Sequence, residues 1–173
     1  MTHRLSVTLL GLGVAAAIVA HAAPAAGPSA PSPAAVLTGR ISAISDGDTV
    51  WVTASDGTEL GRVRLLGINA PELGHADQPE QCWAAHARDA LSRIVPVGSA
   101  VQLVADATQA DRDVYVRPLR YLVQGDMDIQ DALLRQGAAR PFWPTGTGAR
   151  AALYNLAAAE AQHAQRGLWA ACP

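Results

Sequence analysis

The chain has 173 residues, 50% of them apolar and 16% charged, which fits a single globular domain and excludes general disorder. Thirteen basic residues against fifteen acidic ones leave a net charge of −2, so this is not a strongly basic nucleic-acid coat. Every basic residue is arginine, a permanently charged planar fork, and the two cysteines are too few for a four-thiolate zinc site yet enough for one disulfide.

In chain order, His3 and Arg4 precede an apolar run from Leu5 to Ala20, and Ala20-His21-Ala22 has the form of a cleavage site. Residues 1–22 therefore read as a secretory signal peptide cut after Ala22, which predicts a secreted, extracellular protein with no membrane anchor after cleavage. Residues 23–35 are rich in Pro, Ala and Ser and read as a solvated linker. The folded domain is expected over 36–173, long enough to bury a single adequate core.

Leu37–Ile44, Thr49–Thr53 and Arg62–Leu66 read as three strands in meander order. Asp46-Gly47-Asp48 and Asp56-Gly57 supply the turns between them. Residues 67–81, with Pro71, Gly74 and Pro79, read as loop. Cys82–Val95 carries Trp83, Ala87, Ala90, Leu91 and Ile94 on one side and predicts a helix, stopped by Pro96 and Gly98. Ala100–Val104 and Leu119–Val123 predict two more strands around a polar excursion from Asp106 to Arg117. Ile129–Gln136 and Ala149–Gln165 predict two helices, each followed closely by glycine, Gly137 and Gly167. Together these elements predict an α+β fold: a five-stranded oligonucleotide/oligosaccharide-binding (OB-fold) β-barrel with three helices.

The sequence has no P-loop, HExxH, GxSxG or CxxC. What it has is a set of acids and arginines at strand edges and in loops: Asp46, Asp48, Arg64, Asn69, Glu72, Asp113, Tyr115 and Arg117. Oxygen donors of this kind suit a hard cation such as calcium. Two arginines suit a phosphate, because each guanidinium can grip two of its oxygens. A carboxylate beside them can take a proton from water. Each element has a plainer reading by itself: an isolated DGD is usually a turn, and an arginine in an alternating strand usually faces solvent.

The order of the pieces is more specific. ISAISDGDTVWV, VRLLGINAPE, DVYVRPLRYLV, DALLRQGAAR and RGLW together resemble the staphylococcal nuclease (thermonuclease-like) family, from about Leu37 to Trp169. The resemblance implies an OB-fold barrel with three helices and a phosphodiester-cleaving hydrolase. It implies Asp48, Asn69 and the backbone carbonyl of Ala70 as metal ligands, with Ca2+ as cofactor. Glu72 then matches the general base, Arg64 and Arg117 the catalytic arginines that hold the phosphate, and Tyr115 a contact to a neighbouring phosphate. Asp46 matches an acid that supports the loop. This chain departs from the family pattern at Asn69, which replaces a carboxylate, at Val116, which replaces a glycine, and at Pro118.

Arg62, Arg64, Arg112, Arg117 and Arg120 are candidates for a local basic patch, and Tyr115, Phe142 and Trp143 for surface aromatics. In an exported protein Cys82 and Cys172 are expected to form a disulfide, stabilising by up to about 4–5 kcal/mol in the chain-entropy picture. The expected activity is that of a secreted, calcium-dependent nuclease on DNA and RNA with little sequence preference. It would work as a monomer without a stable protein partner. The alternative from another class is a non-catalytic OB-fold module that binds single-stranded nucleic acid.

Overall fold

The computed structural model describes residues 36–173; the expected signal peptide and linker lie outside them. The elements are β1 (Val36–Ile44), β2 (Thr49–Ala54), β3 (Glu59–Leu65), β4 (Gly67–Asn69), α1 (Ala84–Ile94), β5 (Ala100–Val104), β6 (Leu119–Gln124), β7 (Met127–Asp128), α2 (Ile129–Arg135), β8 (Arg140–Phe142), α3 (Ala151–His163) and α4 (Leu168–Ala171). The main sheet runs β3-β2-β1-β5-β6-β7, and a parallel pairing of β3 with β6 closes it. Strands β1, β2, β3, β5 and β6 thus form the closed five-stranded barrel, in agreement with the OB-fold expectation.

The alternation legible in the sequence fills the barrel. Val50 and Val52 on β2, Val63 and Leu65 on β3, Val101 and Leu103 on β5, and Leu122 on β6 are all buried. Each aliphatic side chain so placed contributes about 1.5–3 kcal/mol relative to leaving it in water. Helix α1 turns Ala87, Ala90 and Leu91 onto this core, and α2 adds Ile129, Leu133 and Leu134. The start of α2 is capped by Asp128, whose side chain accepts from Asp131 N at 3.1 Å.

Three differences from the sequence reading have physical causes. First, residues 67–69 are not loop but the short strand β4, which pairs with β8 seventy residues on: Gly67 with Phe142, Ile68 with Pro141, Asn69 with Arg140. Strands of three residues carry no readable periodicity. Gly67 makes the approach possible, since its φ is +86° and a Cβ there would lie 2.5 Å from the Trp143 ring. Second, Trp143 is not a surface aromatic. It stacks on Tyr154 with ring centroids 5.9 Å apart, and Tyr121 meets it edge-on. Third, a fourth helix, α4, follows Gly167 and carries the chain end to Cys82. Cys82 and Cys172 are joined in a disulfide, with Cα atoms 5.8 Å apart across 90 residues of chain. Among the described residues no helix is long and apolar enough to cross a membrane.

Candidate active site

The turn between β1 and β2 is more than a turn. Asp46 accepts from the backbone N–H of Asp48 at 2.9 Å, which fixes the loop from within. Gly47 then packs so closely that a Cβ would sit 2.6 Å from Ala70 and 2.8 Å from Ala87. Only glycine lets the turn lie against α1 and the segment after β4. That contact aims Asp48 inward, where it is 1% exposed. Its Oδ2 accepts from Ala70 N at 2.6 Å and pairs with Arg64 Nη2 at 2.9 Å, and its Oδ1 accepts from the Thr49 hydroxyl at 3.2 Å. Burial pushes the Asp48 carboxyl up to about 7, Asp46 and Glu72 adding to the rise while Arg64 and the Ala70 N–H oppose it.

Arg64 is buried at the closing seam of the barrel, where β3 pairs with β6. Nη1 donates to the carbonyls of Leu65 and Ile68 at 2.7 and 2.8 Å. Nη2 donates to Asn69 Oδ1 at 2.9 Å besides its pairing with Asp48. One guanidinium thus ties β3, β4 and the Asp48 turn together.

Arg117 reaches the same place from a loop. Asp113 organises it: its Oδ1 accepts from the N–H groups of Tyr115 and Arg117 at 2.9 Å each, and its Oδ2 from Arg117 Nε at 2.7 Å. These bonds hold the Asp113 carboxyl below the ordinary aspartate range although burial works against them. Arg117 Nη1 approaches Thr49 Oγ1 at 3.5 Å, and the guanidinium lies over the Tyr115 ring, 5.3 Å from its centroid. Tyr115 itself is 73% exposed.

Arg64, Asn69, Glu72, Tyr115, Arg117 and Phe142 line one open cleft of about 500 Å³. Glu72 is exposed, and its backbone is pinned by Gln81, whose Oε1 accepts from Glu72 N at 2.9 Å while Gln81 N donates back to Glu72 O at 3.0 Å. Its carboxylate has no hydrogen-bond partner among the described residues. Asp48 and Ala70 lie behind the cleft wall, buried, and the Cys82–Cys172 bond lies apart from the cleft, in a smaller hollow that shares only Asn69 with it.

Two of the five candidate patch arginines leave the surface. Arg64 and Arg120 are buried, Arg120 pairs with Asp111 at 2.6 Å, and Arg112 lies 3.8 Å from the same carboxylate. Two organising residues had no stated role in the sequence reading: Asp113 as the anchor of Arg117, and Gln81 as the clasp on Glu72. The four-residue spacing of Asp113 and Arg117 was the available signal for the first. Gln81, nine residues from Glu72, gave none.

Among the described residues Asp48 Oδ1 accepts only from the Thr49 hydroxyl, Asn69 Oδ1 accepts from Arg64 Nη2, and the Ala70 N–H bond to Asp48 Oδ2 brings the segment after β4 against that carboxylate. No three His, Cys, Asp or Glu side chains among the described residues gather as a metal cluster. Burial is the main cause of the raised Asp48 carboxyl, and Asp46 and Glu72 add a smaller repulsion. All-oxygen donors fit a hard divalent ion such as calcium.

The fold is an OB-type barrel, and its site gathers arginines and carboxylates at the closing seam. Residues 62–171 match the family described as Staphylococcal nuclease homologue, and the chain belongs to that family. The match includes Arg64, Asn69, Ala70, Glu72, Tyr115 and Arg117 and begins after Asp48. Among similar proteins is a thermonuclease of Staphylococcus intermedius, 32% identical over 127 residues, which are 73% of this chain and 72% of that one. Another is the SPbeta prophage-derived endonuclease YokF of Bacillus subtilis (strain 168), 32% identical over 96 residues. That alignment covers 55% of this chain but only 31% of YokF.

Proposed function

We propose that the protein is a calcium-dependent nuclease that hydrolyses phosphodiester bonds of DNA and RNA with little sequence preference. The observation that carries the proposal is Glu72: a carboxylate without a hydrogen-bond partner among the described residues, clasped through its backbone, opening on the same cleft as Arg64 and Arg117. Both named relatives are nucleases, one a thermonuclease and one an endonuclease.

In this reading Glu72 takes a proton from the water that attacks phosphorus in line with the leaving oxygen. Arg117, with Nε committed to Asp113, turns its Nη groups to the phosphate and meets the charge that builds in the transition state. Arg64 contributes positive charge from the cleft wall. Tyr115, exposed beside Arg117, contacts a neighbouring phosphate. Asp48, Asn69 and the Ala70 carbonyl would hold calcium, which when bound supplies Lewis-acid stabilisation of phosphate charge. Export by the signal peptide and action as a monomer belong to the same proposal, and the disulfide agrees with an oxidising compartment.

Glu72→Gln is the decisive variant. Cleavage of denatured DNA is expected to collapse by orders of magnitude while binding persists; a wild-type protein that never cuts at any calcium concentration would leave only the binding-module alternative. Asn69→Asp sharpens the metal assignment. Adding a full charge should lower the calcium concentration for half-maximal activity about tenfold, equivalent to ~1.4 kcal/mol. Superimposable calcium titrations would remove Asn69 from the metal shell.

A further inference from the structure

The barrel's outer face next to the cleft carries a second pair of residues that the mechanism above does not use. In the β2–β3 ladder Thr49 pairs with Arg64, and the next pair on the same face is Trp51 with Arg62. Side chains two apart on a strand share a face and are separated by about 7 Å, roughly one nucleotide of extended single strand. Trp51 is 42% exposed, although its strand neighbours Val50 and Val52 are fully buried. Its indole is not loose: Nε1 donates to Ser45 Oγ at 3.1 Å, anchoring the ring to the residue that opens the Asp46-Gly47-Asp48 turn. Among the described residues no aromatic ring or cation stacks on it.

Arg62 is exposed and has no carboxylate partner or hydrogen bond from its side chain among the described residues. It is the member of the expected basic patch that no acid neutralises, whereas Arg64, Arg112, Arg117 and Arg120 all face Asp48, Asp111 or Asp113. Beyond this pair the ladder shifts register between Val52 and Thr53, and Glu59, accepting from the Thr53 hydroxyl at 2.8 Å, makes the face acidic. The favourable strip therefore ends after one step.

We infer that Trp51 and Arg62 form a subsite for single-stranded nucleic acid, one nucleotide from the scissile phosphate, in which a base stacks on the indole and the adjoining phosphate meets the guanidinium. Single sporadic surface aromatics are ordinary. This one is oriented by a hydrogen bond, sits beside an unneutralised cation and continues the register of the cleft. Stacking on an aromatic tolerates any base, which suits low sequence preference, and a duplex, whose bases are already stacked, gains nothing from it. The inference rests on the nuclease reading proposed above.

Two strands of equal length and charge separate the contributions: oligothymidylate and its abasic counterpart, each 5′-labelled. Binding is read by fluorescence anisotropy in the Glu72→Gln background, and cleavage in the Glu72 protein. Trp51→Leu should weaken oligothymidylate binding about five- to tenfold, in line with one lost stacking contact, and leave abasic binding unchanged. Trp51→Phe should stay near wild type. Arg62→Gln should weaken both strands and reduce the salt slope by about one. Cleavage of bis(p-nitrophenyl) phosphate, which has no base to stack, should be unaffected by either change, showing an intact cleft. If wild type binds and cuts oligothymidylate and Trp51→Leu matches it, the subsite is wrong and the nuclease reading stands. If wild type neither binds nor cuts, both fall.

Discussion

Arg64 and Arg117 look alike in the sequence, two arginines each beside a strand edge, yet the fold gives them opposite circumstances. Arg64 is buried, and its two Nη groups are engaged by four acceptors on three segments. Arg117 stands on a loop whose tip, Val114 to Val116, is largely exposed, and only Asp113 grips it strongly. The difference teaches that the cleft has a framework side and an adjustable side. A guanidinium that satisfies main-chain carbonyls and a buried carboxylate belongs to the structure as much as to the chemistry. One held firmly through Nε, with only a long Nη1 contact to Thr49, leaves its other nitrogens for a ligand.

Substitution should expose this asymmetry. Arg64→Gln strands Asp48 and two carbonyls, and breaking a buried pair by removing one partner costs about 3–5 kcal/mol. Urea unfolding should show a loss of that size together with loss of activity; a variant that is inactive but fully stable would refute the framework role. Asp113→Ala should do the reverse. Releasing Arg117 is expected to cut kcat/KM by about 10²-fold, as small misplacements of a reacting group do, with a smaller loss than Arg64→Gln in the same urea assay, because this pair is less buried. Equal damage to stability and activity would erase the distinction.

Acid titration tests the adjustable side more finely. Asp113 is held below the ordinary aspartate range by bonds from Arg117 and Tyr115, and Asp106 by bonds from Tyr121, Ala149 and Thr108, in both cases against the effect of burial. A carboxyl with a depressed folded value favours folding above its unfolded value, near 3.9, and that contribution is lost as pH falls through the folded value. The urea midpoint should therefore fall below about pH 4, less steeply in Asp113→Asn. Asp48, raised rather than lowered, is already protonated there and adds little slope. The smallest effect belongs to Val116, a β-branched residue at φ +65°. Val116→Gly relieves left-handed strain of about 1–2 kcal/mol and gives back part of it in unfolded-state entropy. A net gain of about 0.5–1 kcal/mol is expected, and a loss in the urea midpoint would show that the loop carries no such strain.

Much of the barrel was legible because its strands are short apolar runs bounded by turns, with burial alternating in β5 while the start of β6 is buried on both faces. The segment from Gly67 to Asn69 was not, since its pairing depends on Pro141 and Phe142 far along the chain. Trp143 misled for a related reason: its Pro- and Gly-rich surroundings read as surface, while Tyr154 and Tyr121 enclose it from other elements. At the site, residue identities came from DGDT and VRLLGINAPE. Which arginine is buried, and that Asp113 rather than Asp111 holds Arg117, depends on side-chain directions that spacing does not encode.

The parallel pairing of β3 with β6 has a kinetic consequence. Arg64 N donates to Pro118 O at 2.9 Å, and Arg64 and Leu65 register with Leu119 and Arg120, so the seam joins segments separated by α1 and β5. Such long-range contacts are slow to form, because the intervening chain must be ordered before they contribute. The β1–β2–β3 meander rests on local turns and carries Asp48 and Arg64, whereas the loop that presents Arg117 leads directly into β6. The complete arrangement of Arg64 and Arg117 therefore requires the β3–β6 seam to be closed.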